Sequence, residues 1–170
     1  VEGDLGMRYS AISLYEAVGE EKIKSYLKIN SDIYTSCKIR SEDIEMIPKS
    51  KEEYLLDEAM AKAAVELAIK RHSGRLRKEY SNGRYIYYQK GKDLRDVLTI
   101  IGTGGVIINS KNPKEILSAV ENNENSLILT PKTAKYFSDD YYILSAMGLL
   151  GMVKPKESIK IMKKYLKMEL

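Results

Sequence analysis

The chain has 170 residues, 44% of them hydrophobic, and a formal net charge of +4 at pH 7. This length allows one substantial core and excludes two large independent domains. Its apolar runs fall short of the roughly 20 residues of a membrane-spanning helix, and the single cysteine, Cys37, excludes an internal disulfide. We therefore expect a reduced, cytoplasmic setting without membrane association. The sequence opens on Val1 instead of methionine, which suggests a piece of a longer protein.

The first 50 residues predict helices, but the helical spacing of apolar residues is clear in only part of this stretch. Apolar residues recur at helical spacing over residues 5–18, and a second short helix is predicted over residues 20–27, after Gly19. Residues 30–47 lack a clean period, so we interpret them as mostly loop with one helical turn.

A long helix is predicted from Ser50, because Ser50 and Glu53 have the spacing of a capping box. Its alanine-rich face would allow another backbone to approach closely. It should end in the run from Lys70 to Gly74, where cations suit the negative end of the helix dipole and glycine can form a left-handed cap.

The remaining residues alternate between strand and helix patterns. A hairpin is predicted over residues 76–80 and 85–89, around the Asn-Gly pair, with Tyr85, Tyr87 and Tyr88 serving in core and edge packing. Residues 97–101 read as a buried central strand, and residues 127–129 as one more short strand. Helices are predicted from Asn112 to about residue 120, over residues 140–150, and from Pro155 onward. The fold class is α/β, a layered domain with a helical insertion at about 19–75.

The positive charge does not by itself indicate nucleic-acid binding. Six lysines near the carboxyl terminus surround an apolar stripe, as on a surface helix with a solvated basic face. They are Lys154, Lys156, Lys160, Lys163, Lys164 and Lys167. Because no basic patch interleaved with aromatic residues is evident, we expect no nucleic-acid partner.

The strongest local signal is a strand that leads directly into Gly102, Thr103, Gly104 and Gly105. Glycines let backbone N–H groups approach phosphate or ribose oxygens closely, but the same pattern also describes a tight turn without a ligand. A dinucleotide fingerprint would need a third glycine where Ile107 stands, and a P-loop would need Ser or Thr where Asp93 follows Gly91 and Lys92. Both motifs are therefore disfavoured.

Two chemically reactive residue types occur once each. His72, the only histidine, excludes a multi-histidine metal site, and its place at a predicted helix end suits a C-terminal residue or a pocket wall better than a catalytic triad. Cys37 has no paired thiol, so we do not expect a reactive cysteine, and we predict no metal site.

Four segments together carry a family resemblance: VEGDLGMR (1–8), RHSGR (71–75), QKGKDLR (89–95) and IGTGGV (101–106). In this combination and order the chain resembles the MutL-type accessory proteins of methylaspartate mutase and ornithine aminomutase, which are distinct from the mismatch-repair protein of the same name. The resemblance implies the carboxy-terminal nucleotide-binding half of an actin-like (ribonuclease H-like) ATPase. It also implies an ATP-dependent reactivating factor for adenosylcobalamin-dependent mutases.

The resemblance implies a nucleotide site as well. Residues 102–105 are similar to the turn beneath the adenosine, and Gly3 and Asp4 to the turn after the second phosphate hairpin. Lys70, Arg71 and Ser73 are similar to the helix end that flanks adenine in heat-shock 70 relatives. ATP or ADP with Mg²⁺ is the expected cofactor, but neither acidic phosphate hairpin is present, so the catalytic acid is expected upstream of Val1.

Three functions remain open at this stage. The first is an ATP-dependent reactivating chaperone, in which the full-length protein is expected to hydrolyse ATP and this fragment alone is not. The second is a nucleotide-sensing or assembly domain that binds ADP without turnover. The third is a small acyl or sugar kinase of the same superfamily. A cobalamin-dependent mutase is the expected protein partner, and a homo-oligomer is possible.

Overall fold

The computed structural model describes residues 2–27, 29, 31–121 and 126–169. The helices in these residues are α1 (Ala11–Val18), α2 (Glu20–Tyr26), α3 (Ile33–Glu42), α4 (Lys51–His72), α5 (Gly105–Asn109), α6 (Pro113–Leu117), α7 (Leu144–Val153) and α8 (Pro155–Tyr165). The strands are β1 (Arg75–Ser81), β2 (Arg84–Lys90), β3 (Thr99–Gly102), β4 (Lys135–Ser138) and β5 (Lys167–Glu169). This content confirms the predicted mixed α/β class. None of the helices in the described ranges is both long and apolar enough to cross a membrane.

The longest helix, α4, begins at the predicted capping box. Ser50 Oγ accepts a hydrogen bond from the Glu53 backbone N–H at 3.2 Å, and Glu53 Oε2 accepts one from the Ser50 N–H at 3.1 Å. The helix runs for 22 residues and ends at His72, with three cations in its last turn. Both predicted ends of this helix are therefore confirmed. The predicted left-handed glycine cap is wrong, because the C-cap residue is Ser73 with an extended backbone (φ −78°, ψ 149°), and Gly74 does not have a positive φ.

The first 42 residues pack against α4 as a helical layer. A short 3-10 turn at Gly3–Leu5 precedes α1, so the helix predicted over residues 5–18 begins only at Ala11. The buried apolar core of this layer consists of Leu5, Ala11, Leu14, Ile23, Leu27, Ile33, Cys37, Leu56, Ala59, Met60 and Ala63.

Helix α3 lies where the sequence predicted mostly loop, and that prediction was wrong. Asp32 caps the helix by accepting a hydrogen bond from the Thr35 N–H at 3.0 Å. The helical period is obscured because α3 buries the charged Arg40 on the same side as Ile33 and Cys37. Asn30, the first residue of the predicted loop, lies outside the described residues.

Strands β1 and β2 form the predicted antiparallel hairpin, with Ser81 opposite Arg84. The turn residues Asn82 and Gly83 have φ angles of 50° and 77°, as a primed two-residue turn requires. At the base of the hairpin two glycines face each other, because a Cβ on Gly74 would lie 2.6 Å from the Gly91 carbonyl carbon.

A second, three-stranded sheet has the order β3-β4-β5, parallel between β3 and β4 and antiparallel between β4 and β5. The prediction of a buried central strand over residues 97–101 was wrong. Strand β3 lies at the edge of this sheet, and the adjacent Leu98 is 75% exposed. Residues 127–129 form no named strand, and Ile128 forms an isolated bridge to Arg75. Strands β4 and β5 were missed because four and three residues are too few to show a period.

A second apolar core joins α4 to the sheet through α5 and α6. Its buried members are Ala61, Ile107, Ile116, Leu117, Val120 and Tyr136. The predicted helix from Asn112 is confirmed as α6 and a 3-10 turn at Ser118–Val120. Because Ala61 is small, α6 can lie close to α4. The predicted alanine-rich face of α4 packs instead on the helical layer, through Ala59 and Ala63.

Helices α7 and α8 pack on each other at the carboxyl end, where Ser158 Oγ donates to the Met147 carbonyl oxygen at 2.6 Å. Helix α7 starts later than the predicted residue 140. The Asp139 carboxylate accepts hydrogen bonds from the backbone N–H groups of Ile143 and Leu144, and this fixes the helix start after it. The basic helix predicted from Pro155 is confirmed as α8.

Candidate functional site

The glycine turn after β3 gives its glycines different surroundings. A Cβ on Gly102 would lie 2.6 Å from Leu117 Cδ2, so close packing in the second core requires this glycine. Gly104 has φ 107° and ψ 157°, a region that glycine alone readily populates, and a Cβ there would meet nothing within 4 Å. Gly105 also faces open space, and Thr103 is exposed. The open side of the turn is therefore at Gly104 and Gly105.

A cavity of about 560 Å³ lies beside Gly105. Its walls are Met7, Arg8, Met46, Ile47, Pro48, Tyr54, Asp57, Glu58, Gly105, Val106, Asn109 and Ser110. This volume falls within the roughly 300–1,000 Å³ of small-molecule sites, which also combine apolar walls with a few polar groups. The cavity therefore has the size and lining of a ligand site.

Three polar side chains organise one wall of the cavity. Ser110 Oγ donates to Glu58 Oε1 at 2.5 Å, which ties the end of α5 to α4. Asn109 Nδ2 donates to the Gly105 carbonyl oxygen at 2.8 Å. These bonds hold the short helix α5, and with it the glycine turn, in a fixed position relative to α4.

Asp57 lies in the cavity wall between two arginines. Its carboxylate is 2.8 Å from Arg40 Nε and 2.7 Å from Arg8 Nη2. Arg40 and Asp57 are only 2% and 4% exposed, whereas Arg8 reaches the cavity and also donates to the Met46 carbonyl oxygen at 3.1 Å. Arg8 thereby fastens the cavity wall at Met46 to α4.

The predicted basic helix end meets the predicted amino-terminal turn. Arg71 Nη1 lies 2.6 Å from Glu2 Oε2 and 2.9 Å from Asp4 Oδ2. The hydrogen bond from Arg71 lowers the pKa of the Asp4 carboxyl group. Gly3 is in the 3-10 turn that carries Asp4, and a Cβ on it would meet nothing within 4 Å. The structure thus brings Gly3, Asp4 and Arg71 together.

The other two residues predicted at this helix end are held within the protein. Lys70 forms an ion pair with Glu66, one turn earlier on α4. Ser73 is buried, and its Oγ atom has no hydrogen-bond partner among the described residues. A buried hydroxyl group without a partner is uncommon in folded proteins.

The predicted site residues fall into two places, not one. Helix α4 rises about 1.5 Å per residue, so Arg71 lies about 20 Å along the axis from the cavity residue Glu58. Residues 3–8 run between the two places, with Asp4 at the Arg71 end and Met7 and Arg8 at the cavity.

Several cavity residues were not predicted from the sequence, among them Ile47, Tyr54, Glu58 and Asn109. One usable signal was present, because Met46 and Ile47 are apolar residues in a predicted loop just before the Ser50 cap. Ile47 is 71% exposed, as expected of an apolar residue that lines an open cavity.

His72 lies at the helix end where the sequence placed it, and Cys37 lies in the first core. His72 is the last residue of α4, and its Nε2 lies 3.3 Å from Lys92 Nζ. Cys37 is buried, and burial raises the pKa of its thiol to about 11, which keeps it protonated near neutral pH. In the described ranges, no group of three or more His, Cys, Asp or Glu side chains could hold a metal ion.

Comparison with known proteins places this arrangement in a family. The profile described as MutL protein matches residues 1–166, which include the glycine turn and the cavity walls. The chain belongs to the MutL protein family. It is 51% identical over 168 residues to "Protein MutL" of Clostridium tetanomorphum, and the match covers 98% of this chain. No solved structure matches the chain.

This MutL-family chain spans 36% of the length of that relative. The predicted family is therefore confirmed at the level of MutL, and the two clusters just described lie within the matched residues. The activity and partners of a whole MutL protein are matters for proposal.

Proposed function

We propose that the chain is the adenine-nucleotide-binding part of an ATP-dependent reactivating chaperone for an adenosylcobalamin-dependent mutase, built on the actin-like ATPase fold. The observation that carries this proposal is the cavity of about 560 Å³ against the open side of the Gly104–Gly105 turn. Membership of the MutL family adds the link to mutases that the sequence resemblance implies.

The cavity residues suit the adenosine part of a nucleotide. Met7, Ile47 and Val106 offer apolar contact to a purine ring, and the backbone at Gly105 is open to a ribose. Glu58 and Asn109 add polar groups at the same wall. ATP hydrolysis would supply the free energy for closing a clamp around the nucleotide, provided that the ATP and ADP states bind the mutase with different affinities.

Nucleotide binding is tested with the variant Gly105→Val in the full-length natural protein. The added side chain would enter the cavity without meeting another atom of the fold, because a Cβ at Gly105 has only open space around it. We expect ATP and ADP affinity by calorimetry to fall at least about tenfold. Gly148→Val is the matched control, since Gly148 also faces open space but lies on α7 away from the cavity.

A second variant pair tests the cavity from the side of the loop before α4. Ile47→Asp replaces apolar contact to the purine ring with a charged carboxylate, whereas Ile44→Asp makes the same change at an exposed residue outside the cavity. If Gly105→Val and Ile47→Asp both fold and both keep the wild-type affinity for nucleotide, the cavity is not the nucleotide-binding site.

The reactivating role is tested separately from binding. We expect the intact protein, with ATP and fresh adenosylcobalamin, to restore a methylaspartate mutase inactivated by hydroxocobalamin, and Gly105→Val to abolish the rescue. Nucleotide binding without turnover or rescue would instead favour the sensing or assembly domain. Turnover that requires an added acyl or sugar substrate would favour the kinase.

A further inference from the structure

The β1–β2 hairpin is the most exposed regular structure of the chain. Between Arg77 and Lys90 no side chain is buried, and only Glu79 and Ile86 are half-buried. Tyr85, Tyr87 and Tyr88 are 61%, 53% and 52% exposed, so the core packing predicted for these tyrosines was wrong. A hairpin of this kind presents large side chains to a partner instead of to its own core.

The base of the hairpin holds it in a fixed orientation. The Leu76 N–H donates to the Leu127 carbonyl oxygen at 2.7 Å, and the Gly74 N–H donates to the Lys92 carbonyl oxygen at 2.6 Å. The close contact between the Gly74 and Gly91 backbones further restricts movement of the hairpin base. Isolated two-stranded hairpins are marginally stable in water, so this anchored base is what lets the exposed part keep its shape.

The strand register divides the hairpin into two different faces, because residues directly opposite each other point to the same side. One face, the aromatic face, contains Leu76, Lys78, Tyr80, Tyr85, Tyr87 and Gln89. The other, the cationic face, contains Arg75, Arg77, Glu79, Arg84, Ile86, Tyr88 and Lys90. Tyrosine and arginine are the residue types most enriched in protein–protein interfaces.

The hairpin is one of two strongly basic segments of the chain. Residues 75–92 contain six Lys or Arg and one Glu, a net charge of +5. Residues 154–169, which include α8, contain six Lys and two Glu, a net charge of +4. A hairpin this cationic favours an anionic partner and steers its approach.

Two observations favour an acidic protein surface over single-stranded nucleic acid. Base stacking needs free ring faces, but Lys78 Nζ lies 3.9 Å from the Tyr85 ring centroid, and Tyr80 contacts the same ring edge-on at 5.1 Å. Stacking of successive bases also needs several rings beside the cations, whereas Tyr88 is the one tyrosine on the hairpin face that carries four of the six cations.

We propose that the β1–β2 hairpin is the docking surface for the protein partner, and that it binds an acidic surface of the cobalamin-dependent mutase. This rests on the proposed function for the identity of the partner. The partner contacts the cationic face, where Tyr88 supplies contact area. Arg84 pairs with carboxylates of the mutase, together with Arg77, whose Nε is also 2.8 Å from Glu79 Oε1. Nucleotide binding and partner docking then use different parts of the chain.

The test uses the intact protein with purified methylaspartate mutase, and binding is measured by surface plasmon resonance at low and high salt. Arg77→Glu/Arg84→Glu should weaken mutase binding at least about tenfold, mainly through a slower association rate, and should reduce its salt dependence. The control Lys156→Glu/Lys160→Glu makes the same charge change on exposed lysines of α8 and should change binding less than about twofold. Tyr88→Ser, on the cationic face, should also weaken binding, whereas Tyr80→Ser/Tyr85→Ser, on the aromatic face, should change it less than about twofold.

Nucleotide affinity, measured in the same variants, separates this proposal from the proposed function. It should stay at the wild-type value in every hairpin variant, which also shows that the variants fold. Equal mutase binding by the wild-type, hairpin and control proteins would overturn hairpin docking and leave the chaperone role standing. No mutase binding or rescue by the wild-type protein would overturn both. Binding of labelled oligouridylate that the hairpin variants abolish would overturn the protein partner in favour of nucleic acid.

Discussion

Asp57 lies between Arg40 and Arg8, and replacing it tests whether this ion-pair network holds the helical layer to α4. In Asp57→Ala, Arg40 Nε loses its partner at 2.8 Å while the guanidinium group keeps its charge in a place only 2% exposed. Its Nη1 and Nη2 atoms still donate hydrogen bonds to the carbonyl oxygens of Ser36 and Glu53, at 3.1 and 3.3 Å. The variant therefore leaves a buried, incompletely paired charge.

Removing one partner of a buried ion pair costs about 3–5 kcal/mol of the free energy of unfolding. Arg8 should add little, because its side chain is 26% exposed and it keeps hydrogen bonds to the carbonyl oxygens of Met46 and Met7. Since a domain of this kind has a stability of about 5–15 kcal/mol, the loss is a large fraction of the total.

Urea denaturation followed by circular dichroism measures this loss. Glu52→Ala, an exposed carboxylate in the first turn of the same helix, should cost no more than about 1 kcal/mol. The double variant Arg40→Met/Asp57→Leu should recover most of the stability, because well-packed apolar side chains replace a buried ion pair at little cost. A loss below about 1 kcal/mol in Asp57→Ala would refute a network of this strength.

Two further predictions concern other buried positions. Gly102→Ala should destabilise the protein by about 1–3 kcal/mol in urea denaturation, because its Cβ would overlap Leu117, whereas Gly105→Ala should be tolerated. Cys37 has its thiol pKa raised from 9.0 to about 11 by burial, so its contribution to stability is present below pH 9 and is lost as the pH rises toward 11. The stability difference between the wild-type protein and Cys37→Ala should therefore shrink over this pH range, and a constant difference would contradict it.

The two cores and the candidate site were predictable to different degrees. The glycine turn was found from the sequence, because Gly102 to Gly105 directly follow a β-prone run. Its division into a packing glycine and two open ones depends on Leu117 and on the cavity, which no pattern near the turn reveals. The lone buried arginine of α3 likewise hid a helix, because its charge is matched only by Asp57 on α4.

The sequence by itself determined the features whose interactions span only a few residues. The Ser50–Glu53 capping box and the Asn82–Gly83 turn are of this kind, since their hydrogen bonds and φ angles depend on neighbouring residues. The tertiary structure alone decided the cavity and the buried network. Arg8 and Asp57 are 49 residues apart, and Ser110 and Glu58 are 52 apart. Such pairs form only once packing of the helices on α4 has brought them together, so no local pattern of residues encodes them.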